Sequence, residues 1–109
     1  MKVVGYAGSR SAFSKSICLG EKLKTMLREK NIEMELYTAR NNVVEECRGC
    51  GKCFDEGLCP QDQEDSMEYI RKKILEADLI VLLSPVYLNN VSGAMKTFLD
   101  RIGSWVHTL

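Results

Sequence analysis

The chain has no excess of either charge: 15 lysines and arginines balance 15 aspartates and glutamates over 109 residues. That balance removes the electrostatic footprint expected of a nucleic-acid binder or of a protein drawn to an anionic membrane. Long apolar runs are missing too. Val3–Ala7 is too short for the apolar region of a signal peptide, and the longest later run, Leu79–Leu83, falls far below the ~20 apolar residues of a spanning helix. A cytoplasmic protein with no membrane partner is expected. Neither the G-x4-G-K-[ST] nor the G-x-G-x-x-G spacing occurs. No cysteine is followed by an arginine at the spacing of a phosphatase catalytic loop. There is 1 histidine, His107 near the chain end, and it reads as a surface residue rather than an acid or base. Repeats and low-complexity segments are absent, and the length suits one domain with a small core.

Cysteine, by contrast, is concentrated. Cys47, Cys50, Cys53 and Cys59 form C-x2-C-x2-C-x5-C followed by Pro60, close to the C-x2-C-x2-C-x3-C-P run whose thiolates hold iron–sulfur clusters. Gly49, Gly51 and Gly57 give the loop freedom to turn its side chains inward. An iron–sulfur cluster is the first reading, with a zinc knot, disulfides and free thiols as the alternatives. The count of 5 cysteines is odd and the expected compartment reducing, which argues against a disulfide framework. The fifth, Cys18, reads as a small core residue.

The apolar pattern alternates between strand and helix. Val3–Ala7 reads as a strand buried on both faces. From Ser14 to about Asn31, Leu19, Leu23, Met26 and Leu27 make a helical stripe. Ile32, Met34 and Leu36 alternate with polar neighbours as a half-exposed edge strand. Asp65 with Glu68 predicts a capping box opening a helix that presents Met67, Ile70 and Ile74 and closes near Ala77. Leu79–Leu83 reads as a second central strand, and Ser92 starts a helix carrying Met95, Phe98, Leu99 and Ile102. The βαβαβα order predicts an α/β doubly wound parallel sheet, strand order 2-1-3, with its ligand beyond the carboxyl ends of the first and third strands.

Two loops lie there. Gly8–Ser16 combines the hydroxyls of Ser9, Ser14 and Ser16 with Arg10, Lys15 and a helix start, a setting for phosphate; the alternative is that these residues are only caps. Ser84–Asn90 pairs the rigid Pro85 with Val86, Tyr87, Leu88 and Asn89, and suits a flat heteroaromatic ring; the alternative is that Tyr87 is a partly buried loop aromatic.

Gly8-Ser9-Arg10 with Ser14 and Ser16, the cysteine run, Ala77-Asp78, Ser84-Pro85-Val86-Tyr87 and Ser92-Gly93-Ala94-Met95-Lys96-Thr97-Phe98-Leu99-Asp100-Arg101 together resemble the NAD(P)H-dependent FMN reductases, and among them the iron–sulfur flavoproteins. The resemblance implies a flavodoxin-like fold and non-covalent FMN, with electrons from NAD(P)H or a ferredoxin-type redox protein. It places Ser9, Arg10, Ser14 and Ser16 in the phosphate loop and Pro85, Val86, Tyr87, Leu88 and Asn89 beside the isoalloxazine. Cys47, Cys50, Cys53 and Cys59 would hold a [4Fe–4S] cluster. The family's arginine usually falls one residue later, where this chain has Ser11, so Arg10 is a weaker phosphate assignment than Ser9 or Ser16.

Members of that family continue through two more strands, so the third strand is expected to stand at an edge that a second copy or a complementing chain covers. FMN affinity is expected to be weaker than in longer relatives. The competing function is a half-domain without catalysis, acting as a subunit or interaction module.

Overall fold

The computed structural model of the protein describes residues 1–103, so Trp105 and His107 lie outside the described residues. Strands β1 (Lys2–Ala7), β2 (Glu33–Thr38) and β3 (Leu79–Leu83) form a parallel sheet in the order β2-β1-β3. Val4 stands opposite Glu35 on one side and Ile80 on the other, which fixes the register of both pairs. The helices are α1 (Lys15–Arg28), α2 (Lys52–Glu56), α3 (Met67–Glu76) and α4 (Gly93–Ile102). The expected strand order and flavodoxin-like architecture are those observed. Among the described residues no helix is long and apolar enough to cross a membrane.

Alternation along β1 sends successive side chains to opposite faces of the sheet. On one face Val4 and Tyr6 join Met67, Ile70 and Ile74 of α3 and Met95 and Phe98 of α4 in the main core. Tyr6 and Phe98 stack with ring centroids 3.8 Å apart and planes at 10°. Each such fully buried ring contributes about 1.5–3 kcal/mol through area removed from water. The other face carries α1 at close range. A Cβ on Gly20 would stand 2.9 Å from Leu36 Cδ2 and 3.0 Å from Leu83 Cδ1, so a larger residue fits between helix and sheet there only if those side-chain ends shift.

That contact corrects the expected stripe of α1. Gly20 is the buried residue, Leu23 and Leu27 are half-buried, and Leu19 and Met26 point to solvent. The helix ends as expected, with Asn31 at φ 61° and the Ile32 N–H donating back to the Leu27 carbonyl at 2.9 Å.

Three further expectations need revision. Leu79–Leu83 reads in sequence as covered on both faces, yet Leu79, Ile80 and Leu82 are exposed; the position of β3 at an edge of the sheet is the one expected, with no strand beyond it among the described residues. The Asp65–Glu68 capping box does not form: Ser66 precedes α3, Asp65 Oδ1 accepts from the Met67 N–H at 3.0 Å, and Glu68 faces Lys72 at 3.9 Å. The cysteine segment is not a plain loop, since it contains α2 and a 3-10 turn at Pro60–Glu64. The loop after β3 also holds a small hairpin of β4 (Val86–Tyr87) and β5 (Asn90–Val91), whose turn places Leu88 and Asn89 at φ 50° and 61°.

Candidate functional site: two clefts sharing one helix

At the carboxyl ends of β1 and β3 the Gly8 N–H donates to the Leu83 carbonyl at 2.8 Å, drawing the two loops together. A cleft of about 430 Å³ opens above them, lined by Gly8, Ser9, Arg10 and Ser11, by Tyr87, and by Ser92, Gly93, Ala94 and Thr97 at the start of α4. Ser9 is 3 % exposed, and its hydroxyl accepts from the Ser11 N–H at 3.3 Å. The Ser11 hydroxyl accepts from the Phe13 N–H at 3.2 Å, continuing the turn. Ser14 caps α1 by accepting from the Ile17 N–H at 3.2 Å.

Ser92 joins loop and helix. Its hydroxyl donates to the Gly8 carbonyl at 2.6 Å and accepts from the Met95 N–H at 3.1 Å, while its own N–H donates to Ser84 Oγ at 3.0 Å. Gly8 leaves no room for a side chain: a Cβ there would lie 2.7 Å from Met95 Cβ and 2.9 Å from Met95 Cα and N. The amino end of α4, where unpaired N–H groups and the helix dipole favour an anion, therefore stands in the cleft wall. Burial pushes the Tyr6 hydroxyl beneath up to about 12, with the nearby Arg10 cation acting in the opposite sense.

Of the residues picked from sequence, Ser9, Arg10 and Tyr87 meet in this cleft. Ser14 and half-buried Ser16 belong to the first turn of α1 and its cap, outside the cleft lining. Pro85, Val86, Leu88 and Asn89 build the hairpin beside the cleft, with Leu88 99 % exposed at its tip. Ser92, Gly93, Ala94 and Thr97 were missed as lining residues. The signal was present in sequence, because a Ser cap directly after the third strand's loop brings a second helix start to the same edge of the sheet.

A second cleft, of about 460 Å³, lies along the other half of α4. Cys47, Cys50, Cys53 and Cys59 all line it, together with Leu99, Asp100, Arg101 and Gly103. Cys53 sits on α2 and Cys59 caps the 3-10 turn, while Cys47 and Cys50 lie on irregular chain. No disulfide joins any of the cysteines. Among the described residues no three cysteine, histidine or carboxylate groups already stand at metal-binding distances. Gly49 and Gly51 take φ 71° and 74° with open space where a Cβ would be. The set fits a thiolate-bound centre: four soft sulfur donors around one cleft, on a loop whose glycines can bring them closer.

The ends of the cysteine loop are held firmly. Gln61 Oε1 accepts from the Arg48 N–H at 3.3 Å and its Nε2 donates to the Glu46 carbonyl at 2.7 Å, so one buried amide grips both neighbours of Cys47. Arg101, with a side chain 0 % exposed, donates to Asp62 Oδ1 at 2.9 Å, to Asp65 Oδ2 at 2.6 Å and to the Glu45 carbonyl at 2.8 Å. Arg71 donates to Asp62 Oδ2 at 2.6 Å and to the Arg101 carbonyl at 2.9 Å. Burial works against the Arg101 charge, but its bonds to Asp65 and Asp62 outweigh it and raise the guanidinium above its ordinary range. Burial likewise opposes charge on Asp65, and the Arg101, Glu45 and Met67 donors still hold its carboxyl below the usual carboxylate range. The exposed Arg48–Glu64 pair at 2.7 Å contributes little beside these.

A family model described as NADPH-dependent FMN reductase matches residues 1–108. The chain is 33% identical over 107 residues to an iron-sulfur flavoprotein of Archaeoglobus fulgidus, covering 98% of this chain and 48% of that protein. It is 37% identical over 101 residues to an iron-sulfur flavoprotein of Methanocaldococcus jannaschii, covering 93% and 51% respectively. An FMN reductase (NADPH) of Pseudomonas putida is 27% identical over 102 residues, covering 94% and 47%. The chain thus spans about half the length of these relatives, as little as 47% and at most 51% of the three. In fold it is similar to RosB, solved with the bound intermediate 8-demethyl-8-formylriboflavin-5'-phosphate, at a TM-score of 0.73 and 20% identity over 94% of this chain and 42% of that one.

Proposed function

The chain belongs to the NADPH-dependent FMN reductase family, and from that membership we propose that it carries the cofactor cleft of an FMN-dependent oxidoreductase that takes electrons from NAD(P)H or a ferredoxin-type donor. One observation carries the reading: the turn at Gly8–Ser11, Tyr87 and the amino end of α4 share a single cleft where β1 and β3 end. In doubly wound sheets this is where ligands bind.

Each part has a distinct role. The backbone N–H groups and hydroxyls of the Gly8–Ser11 turn, with Arg10, would hold the 5'-phosphate, while Ser14 and Ser16 shape the start of α1 behind it. Tyr87 and the main chain of Pro85–Asn89 border the ring system and fix its orientation. The start of α4 adds a positive dipole end to the cleft. FMN supplies hydride acceptance and electron delivery when bound, so no side chain need act as acid or base. Cys47, Cys50, Cys53 and Cys59 would hold an iron–sulfur cluster along α4 from the flavin, and its chemistry would be electron relay. A [4Fe–4S] centre suits the four thiolates best.

Fluorescence titration of the purified chain with FMN and with riboflavin tests the first part. Saturable binding of one FMN, much tighter than riboflavin, is expected; equal binding of the two would remove the phosphate-loop assignment, and no binding of FMN would remove the function. Absorbance of protein purified without oxygen tests the second, with broad brown absorption expected and its absence after reconstitution with iron and sulfide counting against the cluster.

A second reading has its own support. Among the described residues β3 leaves Leu79, Ile80 and Leu82 exposed at an unpaired edge, which favours pairing with a second copy or a complementing chain, and a partner-completed module need not itself turn over substrate.

A further inference from the structure

The buried charge network around Arg101 has no part in the flavin cleft, yet it touches both ends of the cysteine loop. Glu45, two residues before Cys47, is gripped twice: its carbonyl accepts from Arg101 Nη1 at 2.8 Å and its N–H donates to Asp65 Oδ2 at 2.9 Å. Asp62, three residues past Cys59, accepts from Arg101 at 2.9 Å and from Arg71 at 2.6 Å. Its own N–H donates to the Cys59 carbonyl at 3.1 Å, so the clamp reaches the last cysteine directly. All of this converges on one residue of α4, and Arg101 also lines the cysteine cleft.

The rest of the loop is built the opposite way. Gly49 and Gly51 take left-handed conformations in open space, and Cys47 and Cys50 are exposed. Anchored ends with a pliant middle lower the entropy lost when thiolates close on a common ion, because the span to be closed is already set. Arginine suits this position because its planar guanidinium bonds a backbone carbonyl and two carboxylates at once, which an ammonium cannot reproduce.

We propose that Arg101 is a positioning residue for the cysteine site: by tying Glu45 before the loop and Asp62 and Asp65 after it to α4, it sets Cys47 and Cys59 within reach of one metal centre. The proposal rests on the reading that the four cysteines bind metal. It gives α4 two duties, its amino end serving the flavin cleft and its last turns the thiols.

Cobalt(II) ion alone, titrated into the reduced, metal-free chain without oxygen, is the probe, and the thiolate-to-cobalt charge-transfer band is the readout. Arg101→Lys keeps the charge and loses the fork. It is expected to weaken cobalt binding about 10- to 100-fold, the usual effect of losing a group that orients metal ligands. In the metal-free variant, alkylation of Cys47 and Cys59 should also quicken relative to Cys18, which lies on α1 outside the network. Circular dichroism reports whether the fold persists. Should Arg101→Lys not fold, Asp62→Asn, which leaves the Asp65 bonds in place, must show the same losses to a smaller degree. Unchanged cobalt affinity in a folded variant, with normal binding by the parent, overturns the positioning role alone. A parent chain that gives no thiolate–cobalt band overturns the metal reading and the proposal with it.

Discussion

The Ser92 hydroxyl donates to the Gly8 carbonyl at 2.6 Å, joining two residues 84 positions apart, so the first turn of α4 and the loop after β1 form one unit. Ser92→Ala removes that bond and the cap on Met95 together. Leaving the buried Gly8 carbonyl unpaired and the helix uncapped is expected to cost about 2 kcal/mol. Urea denaturation measures it, and FMN affinity should fall in the same variant. A stability equal to the parent's would show that the joint carries no weight.

Gly8→Ala tests the same joint from the other side. The added methyl would stand 2.9 Å from the Met95 backbone, so α4 must move away from the loop, at a cost of about 1–3 kcal/mol. Gly93→Ala is the control, because nothing lies within 4 Å of a Cβ there. Thermal melts of both variants should separate them clearly, with Gly93→Ala near the parent.

Acid should loosen the cysteine side first. Asp65 is held below its ordinary value of 3.8, so its contribution to stability is complete above that pH and is lost as pH falls below it towards the folded value. Denaturant midpoints measured down the acid limb should fall less steeply in Asp65→Asn, which is less stable at neutral pH. Tyr6 contributes to the alkaline limb in the opposite sense. Its folded value of about 12 exceeds the ordinary 10.0, so the stability it contributes is intact below 10.0 and is lost as pH rises through that interval. Denaturant midpoints measured up the alkaline limb should fall less steeply in Tyr6→Phe than in the parent.

The exposed edge of β3 is expected to make the chain associate as concentration increases. Ile80→Lys places a charge on that edge and should lower the mass seen by light scattering without changing FMN affinity. Parent and variant of equal, monomeric mass would leave the edge without a partner of its own kind.

Local signals in the sequence carry much of the fold. Alternation and apolar runs locate β1, β2 and β3, Ser14 and Ser92 mark their helices, and the 2-1-3 order follows from which strands are most apolar. What stays hidden depends on distant partners. Arg101 reads as one more solvated charge on a helix until Asp62 and Asp65, 39 and 36 residues earlier, come to meet it. Asp65 does accept from the Met67 N–H, but the Glu68 half of the predicted box turns to Lys72 instead. The stripe of α1 is misplaced in sequence because glycine gives no hydrophobic signal, although the closest approach of helix to sheet is at Gly20. Ser9, Arg10 and Tyr87 are legible as a site because loops at the carboxyl edge of a parallel sheet have a topological address, whereas Thr97 needs the actual tilt of α4.

Gly20 has an effect beyond packing. A glycine inside a helix costs about 1 kcal/mol relative to alanine, and here it lets α1 settle directly onto Leu36 and Leu83. The backbone of α1 thus rests directly on the side-chain ends of Leu36 and Leu83, which set its height above the sheet. Because Ser14 at the near end of the same helix closes the segment that leaves β1, the depth to which the Ser9 turn can sink is gauged from a position well away from it.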